Sequence, residues 1–385
     1  MEIKGIVEGF YGPPYRWEER ESLIEFFPQL GFNYYLYAPK SDPYTRKDWR
    51  RLYPDRFLKR LERFASICLE RRIILNYGFT PGGDIDSALT RLNQIRSLGI
   101  REFSLLFDDL KVKIDEDLAK SQVEITNTIF KRLNPDRLLF CPTQYCGKIS
   151  SYLKVLSKKL NPEIIILWTG PEVVSTRITT DHIQRIAGYL KRRIVLWDNY
   201  PVNDYDPVRI FLGPFQGREP EILNLLTGYL ANPMNQARLS LIPLFTLAEF
   251  FKKKKRYQPQ RAIRKFLSQF GLTTHYSMVS QFFPSRINLK MSPETGLLKR
   301  RDFQRLIPII ETWQEFDLFE AAWAVKNLIL ARDLLLSWIK RRRRKGLREL
   351  KYSLRREGEI YFENQVRDLI LTGSDNSLRL NYEDQ

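Results

Sequence analysis

Residues 102–109 read Glu-Phe-Ser-Leu-Leu-Phe-Asp-Asp. A nearly continuous apolar run of this length suits a strand covered on both faces, as in a parallel sheet. It ends abruptly in two carboxylates. Upstream, the same pattern of a short β-branched or aromatic run closed by polar residues predicts strands at 3–9, 33–39 and 72–79. Downstream it predicts strands at 138–145, 163–170, 193–199 and 239–246. Charged segments with helical spacing lie between them, near 17–29, 54–70, 85–98, 118–133, 149–160, 179–192, 219–230 and 247–255. Eight such units in about 250 residues predict a (β/α)8 TIM barrel over 1–256. A doubly wound open sheet is disfavoured because no glycine-rich phosphate loop follows the first strand.

Past 256 the strand runs stop. Phe319, Trp323, Leu330 and Leu334 share one helical stripe, so a C-terminal α-helical domain is expected over 257–385. It is basic, with Lys252–Arg256 (KKKKR) at its border and Lys340–Lys345 (KRRRRK) within it. These runs read either as an anion-binding surface or as solvated helix faces and helix ends. The net charge of +18 favours anionic partners without choosing among them.

Composition excludes several chemistries. Two histidines, His182 and His275, make a histidine-rich metal site or a Ser-His-Asp triad improbable. Three cysteines, Cys68, Cys141 and Cys146, form no disulfide framework and suit a reducing compartment. No apolar run is long enough to span a membrane, and the N-terminus does not read as a secretory signal. A cytoplasmic location is expected.

In a barrel, catalytic groups sit on the C-terminal ends of the strands. Here those ends read Glu8–Gly12, Tyr37–Lys40, Asp108-Asp109, Gln144-Tyr145, Trp168–Gly170 and Trp197–Asn199. Adjacent buried carboxylates need partners or a task, and their mutual repulsion tends to raise one pKa. The pair therefore suits general acid and base work. A magnesium site and helix capping are alternatives that the pair alone leaves open.

Longer strings narrow the choice. GIVEGFYGPPYRWEER, YLYAPKSDPYTRKDWRRLYP, FSLLFDDL, CPTQYCG, WTGPEVVSTRIT and LWDNYPVNDYDP together resemble glycoside hydrolase family 84, the O-GlcNAcases and bacterial β-N-acetylglucosaminidases. The resemblance covers roughly residues 3–250. It implies a barrel and a retaining, substrate-assisted hydrolysis of terminal β-linked N-acetylglucosamine (GlcNAc) through an oxazoline. On that resemblance Asp108 orients the 2-acetamido group and Asp109 is the general acid, then base. Gly9, Lys40, Asn199, Asp204 and Asn232 match groups that hold sugar hydroxyls. Tyr145 matches a tyrosine near the anomeric centre, and Trp197 an aromatic wall. Cys141 and Thr169 match small residues around the acetyl methyl. No metal or cofactor is implied. The expected partner is a GlcNAc-bearing glycoside or glycoprotein. Two other readings are a GlcNAc- or nucleic-acid-binding module on a retained barrel, and a hyaluronidase-like glycosidase. Oligomeric state is left open.

Overall fold

The computed structural model describes residues 1–205, 211 and 213–269. Eight parallel strands close into a barrel in sequence order. They are β1 (Ile3–Glu8), β2 (Tyr34–Tyr37), β3 (Ile74–Phe79), β4 (Glu102–Leu106), β5 (Arg137–Cys141), β6 (Ile165–Trp168), β7 (Val195–Asp198) and β8 (Gly228–Ala231). The helices around them are α1 (Trp17–Leu30), α2 (Asp55–Glu70), α3 (Ile85–Arg96), α4 (Glu116–Leu133), α5 (Ser151–Lys159), α6 (Thr180–Leu190), α7 (Ile222–Leu225), α8 (Ala237–Lys253) and α9 (Pro259–Gln269). Short polar side chains start several of them. Asp84, Asp115, Ser150 and Thr179 accept from Ser87 N, Leu118 N, Leu153 N and His182 N, satisfying amides that no intrahelical carbonyl reaches.

The strands divide their side chains between two cores. Ile3, Val7, Tyr34, Leu36, Leu106, Leu139, Leu167, Val195 and Leu230 pack together inside the barrel. Residues of the opposite parity face the helices, as alternation along a strand requires. Tyr35 meets Phe64 of α2, Trp168 meets His182 of α6, and Tyr229 meets Phe251 of α8. Two buried ion pairs belong to this outer layer. Arg20 of α1 grips Glu8 at 2.8 and 2.7 Å, with Tyr35 donating to the same carboxylate at 2.6 Å. Arg218 grips Asp198 at 2.7 and 2.6 Å, and Tyr229 donates there too. Bidentate pairing with extra donors is what lets a charge pair stay buried.

The eighth unit differs from its expectation. Residues 239–246 are helical within α8, and β8 overlaps the end of the stretch expected as helix at 219–230. The physical reason is burial. Leu239, Leu241, Ile242, Leu244 and Leu247 of α8 are all buried, so this part of the helix is apolar on most of its surface and mimics a covered strand. Gly228-Tyr229-Leu230-Ala231 is short, and glycine and alanine are poor strand formers. Packing requires glycine at 228, because a Cβ there would lie 2.4 Å from Ile3 Cβ.

The run Lys252–Arg256 ends α8 in a 3-10 turn with no buried residue. Beyond 269 the helical domain expected over 257–385, with its stripe from Phe319 to Leu334 and the run Lys340–Lys345, lies outside the described residues. Among the described residues, no helix is long and apolar enough to cross a membrane.

Closure of the barrel yields a stability test. A Cβ on Gly5 of β1 would sit 1.8 Å from the Tyr34 carbonyl oxygen of β2. No rotamer relieves a clash with backbone, so Gly5→Ala is expected to lose about 3 kcal/mol or more. Chemical denaturation measures this, and a loss below about 1 kcal/mol would mean the β1–β2 contact is looser than described.

Candidate active site

The inward parity of the strands continues past their ends. Two residues beyond each apolar plug stands a polar or small one: Gly9 after Val7, Lys40 after Ala38, Asp108 after Leu106, Cys141 after Leu139, Thr169 after Leu167, Asn199 after Trp197 and Asn232 after Leu230. All seven line a single cavity of about 400 Å3 at the C-terminal mouth. Trp197, Tyr145, Asp109 and Asp204 line it as well, so the eleven residues singled out in the sequence meet in one place. Trp168, at the same strand end, faces the other way, fully buried with its indole N–H donating to His182 at 3.0 Å.

Asp109 should point away from Asp108 on a regular strand. It does not, because its backbone is left-handed, with φ +56°. Aspartate tolerates that region better than most residues. The turn brings both carboxyl groups to the cavity.

The two are held differently. Asp108 is buried and its Oδ2 accepts from the Lys40 ammonium. Burial alone would push its carboxyl up, but Lys40 and then Arg46 outweigh it and hold it below the usual aspartate value. The sequence-based expectation that repulsion between the pair raises one carboxyl leaves out this cation. Asp108 Oδ1 is buried with no hydrogen-bond partner. Asp109 accepts from two phenols, Tyr145 on Oδ1 at 2.6 Å and Tyr11 on Oδ2 at 2.9 Å.

The far wall is an amide chain. Asn232 Oδ1 accepts from Gly9 N at 3.4 Å, and its amide donates to Asn199 Oδ1 at 2.9 Å. The Trp197 indole donates to the same oxygen at 3.0 Å, and the Asn199 amide donates to Val173 O at 2.7 Å. Glycine is needed at 9, since a Cβ would meet the Trp197 ring at 2.3 Å. Asp204 accepts from Tyr11 N at 2.7 Å, and burial pushes its carboxyl up. Burial also keeps the Cys141 thiol protonated, which makes it a wall rather than a nucleophile.

The cavity also includes Tyr11, Val173, Val174, Val202 and Tyr205, which sequence reasoning did not single out. Arg46 touches both Asp108 O at 2.7 Å and Tyr11 Oη at 2.9 Å. Tyr11, Val173, Tyr205 and Arg46 all stand inside the quoted strings, yet spacing alone does not show which loop residues bend back over the mouth. Among the described residues, no group of three or more His, Cys, Asp or Glu is placed to hold a metal ion.

A family model described as beta-N-acetylglucosaminidase matches residues 4–283. The chain belongs to that family. Over 271 residues it is 39% identical to the Protein O-GlcNAcase of Rattus norvegicus, and equally to that of Mus musculus. The match covers 64% of this chain and 30% of either relative, so it spans under a third of their length. Among solved structures, an O-GlcNAc hydrolase mutant from Thermobaculum terrenum superposes with a TM-score of 0.71 at 27% identity, covering 95% of this chain and 80% of that one. The β-N-acetylglucosaminidase family thus accounts for the barrel and for the order of the strand-end blocks.

Within this family member the Lys40–Asp108 pair has a pH signature. The folded Asp108 carboxyl sits below its unfolded value. Its stabilising contribution is therefore complete above about pH 4 and is lost only as pH falls through the lower folded value. Lys40→Met leaves burial unopposed by that cation and costs on the order of 3 kcal/mol at neutral pH. The folded value then rises, so the variant loses stability as pH climbs from about 4 to 7, where the wild type does not. Melting temperature against pH checks this, and pairing Lys40→Met with Asp108→Asn should remove the new slope. A Lys40→Met slope that survives in the double variant would assign it to another group.

Proposed function

We propose that this chain is a retaining exo-β-N-acetylglucosaminidase, acting on GlcNAc β-linked to protein or to a small aglycone by substrate-assisted catalysis. The observation that carries the reading is Asp108 Oδ1. An ionised carboxylate whose second oxygen is buried, unpaired and at a cavity wall is costly unless a ligand supplies a donor. The N–H of a 2-acetamido group is such a donor. Accepting it polarises the amide, so that its carbonyl oxygen attacks C1 and forms the oxazoline.

Asp109, on the adjacent residue, serves the other bond. It gives a proton to the glycosidic oxygen as C1–O breaks. It then takes one from the water that opens the oxazoline, so both steps balance. Substrate supplies the nucleophile, and no third carboxylate is required of the protein. Trp197 offers an aromatic face to the ring, while Lys40, Asn199, Asn232 and Asp204 are the hydroxyl partners. Asp204 accepting from the 4- and 6-hydroxyls would close the pocket behind a terminal sugar, which favours removal of single residues over internal cleavage of a polymer such as hyaluronan. The names of the rodent and Thermobaculum relatives support O-linked GlcNAc as the substrate. Free Cys68, Cys141 and Cys146 suit a reducing compartment, and the cytoplasm is the proposed location.

The decisive assay is hydrolysis of an activated aryl β-N-acetylglucosaminide in the presence of EDTA. Wild type should turn over, and Asp108→Asn should fall by about 100-fold or more. Asp109→Ala should lose about 100-fold or more on an alkyl glycoside and much less on the activated one, whose leaving group needs no proton. Equal losses on the two substrates would remove Asp109 from the acid role. A folded wild type without turnover would overturn the hydrolase reading in favour of a GlcNAc-binding module.

A further inference from the structure

Arg46 lies behind the carboxylate pair and outside the set that lines the cavity. Its loop, after β2, is firmly built. The Asp42 carboxylate accepts from Tyr37 Oη at 2.8 Å, Tyr53 Oη at 2.6 Å and Tyr44 N at 2.9 Å. The Thr45 hydroxyl donates to Pro39 O at 3.0 Å, and Thr80 N donates to Thr45 O at 2.7 Å. From this base the guanidinium sends one arm to Asp108 O at 2.7 Å and the other to Tyr11 Oη at 2.9 Å.

We infer that Arg46 is a positioning residue that clamps the Asp108–Asp109 turn and, by pinning the Tyr11 hydroxyl as a donor, confines the dissociable proton of Asp109 to Oδ1. The first half follows from where the carbonyl sits. Asp108 O belongs to the peptide that enters Asp109, and rotation about the next bond is the one held at φ +56°. A charged donor on that carbonyl offsets the cost of the left-handed conformation for a residue with a Cβ.

The second half follows from hydrogen-bond capacity. A guanidinium has donors and no acceptor. The single hydrogen of Tyr11 Oη therefore cannot point at Arg46, and the Asp109 Oδ2 at 2.9 Å receives it. Oδ2 thereby keeps an obligate donor, and protonating that oxygen would weaken it as the acceptor of this bond. Tyr145 Oη, 2.6 Å from Oδ1, has no cation donating to it among the described residues, so its hydroxyl is free to turn from donor to acceptor. When Asp109 is protonated, the hydrogen sits on Oδ1. In the acid step the Oδ1–H bond breaks, the proton passes to the glycosidic oxygen as its bond to C1 breaks, and the electron pair stays on Asp109. In the return step Oδ1 takes a proton from water.

The catalytic consequence rests on the hydrolase reading, whereas the clamp does not, and the test separates them. Arg46→Met and Arg46→Lys are compared with wild type in crystal structures and on two glycosides, one alkyl and one dinitrophenyl. In Arg46→Met the Asp109 backbone is expected to leave the left-handed region, or its carboxylate to lose Tyr11. The kcat/KM on the alkyl glycoside should fall about 30- to 100-fold, and on the dinitrophenyl glycoside less than about 3-fold, with KM little changed. Arg46→Lys keeps the charge but not the fork, and should recover only part of the alkyl activity. A merely structural arginine would lower both substrates alike. Equal losses, or an Arg46→Met crystal structure with the turn and both tyrosine contacts intact, would overturn the inference. If wild type turns over neither glycoside, the hydrolase reading falls while the crystal structures still decide the clamp. Should Arg46→Met fail to fold, Arg46→Lys carries the same comparison.

Discussion

Side-chain alternation in a closed parallel barrel is the constraint on which the site depends. Each strand sends one parity inward and the other to the helices. Below the mouth the inward positions are mostly apolar and fill the barrel, with Ser104, Asn76, Tyr34 and Glu102 hydrogen-bonded in a chain among them. One step of the same parity further, at or just past the strand ends, the inward position lines the cavity. Seven strands spend that step on a site residue, from Gly9 to Asn232. The cavity is therefore the top layer of the core, written in different residues. Its strand-end residues continue directly from the packed plug beneath them, which favours preorganised binding.

Two carboxylates on one strand would ordinarily face opposite sides. The left-handed turn at Asp109 breaks the alternation once and brings both carboxyl groups to one cavity. Their environments then diverge. Asp108 is buried against a cation and stays ionised, with one oxygen unpaired. Asp109 stands between two phenols that can donate to it or, in the case of Tyr145, turn away. On the proposed function, these different partners are what would let neighbouring carboxyl groups take separate roles.

Much of this was legible in the sequence, for identifiable reasons. Seven of the eight strands announce themselves as covered apolar runs, and their polar ends mark the mouth because parity carries over from strand to loop. β8 was not legible, since four residues with glycine and alanine carry almost no strand signal while the buried α8 beside it imitates one. Tyr11 and Arg46 were readable as residues but not as contacts. Each sits in a loop whose path is set by tertiary anchors such as Asp42, and no period in the sequence predicts which side chain a loop folds back. The left-handed turn at Asp109 was hidden likewise, because aspartate, unlike glycine, does not advertise it.

The outer parity completes the argument. Glu8 and Asp198 directly precede Gly9 and Asn199 in the chain, yet they face the helices and are locked to Arg20 and Arg218. The ends of β1 and β7 thus carry a buried ion pair on one side and a cavity-lining residue on the other. A buried bidentate pair resists displacement because moving either partner leaves a charge unpaired. The backbone between the two cannot shift without breaking it. The charges that face away from the cavity therefore hold still the backbone that presents Gly9 and Asn199 to it. The wall of the cavity is held as much by these outer ion pairs as by the residues that line it.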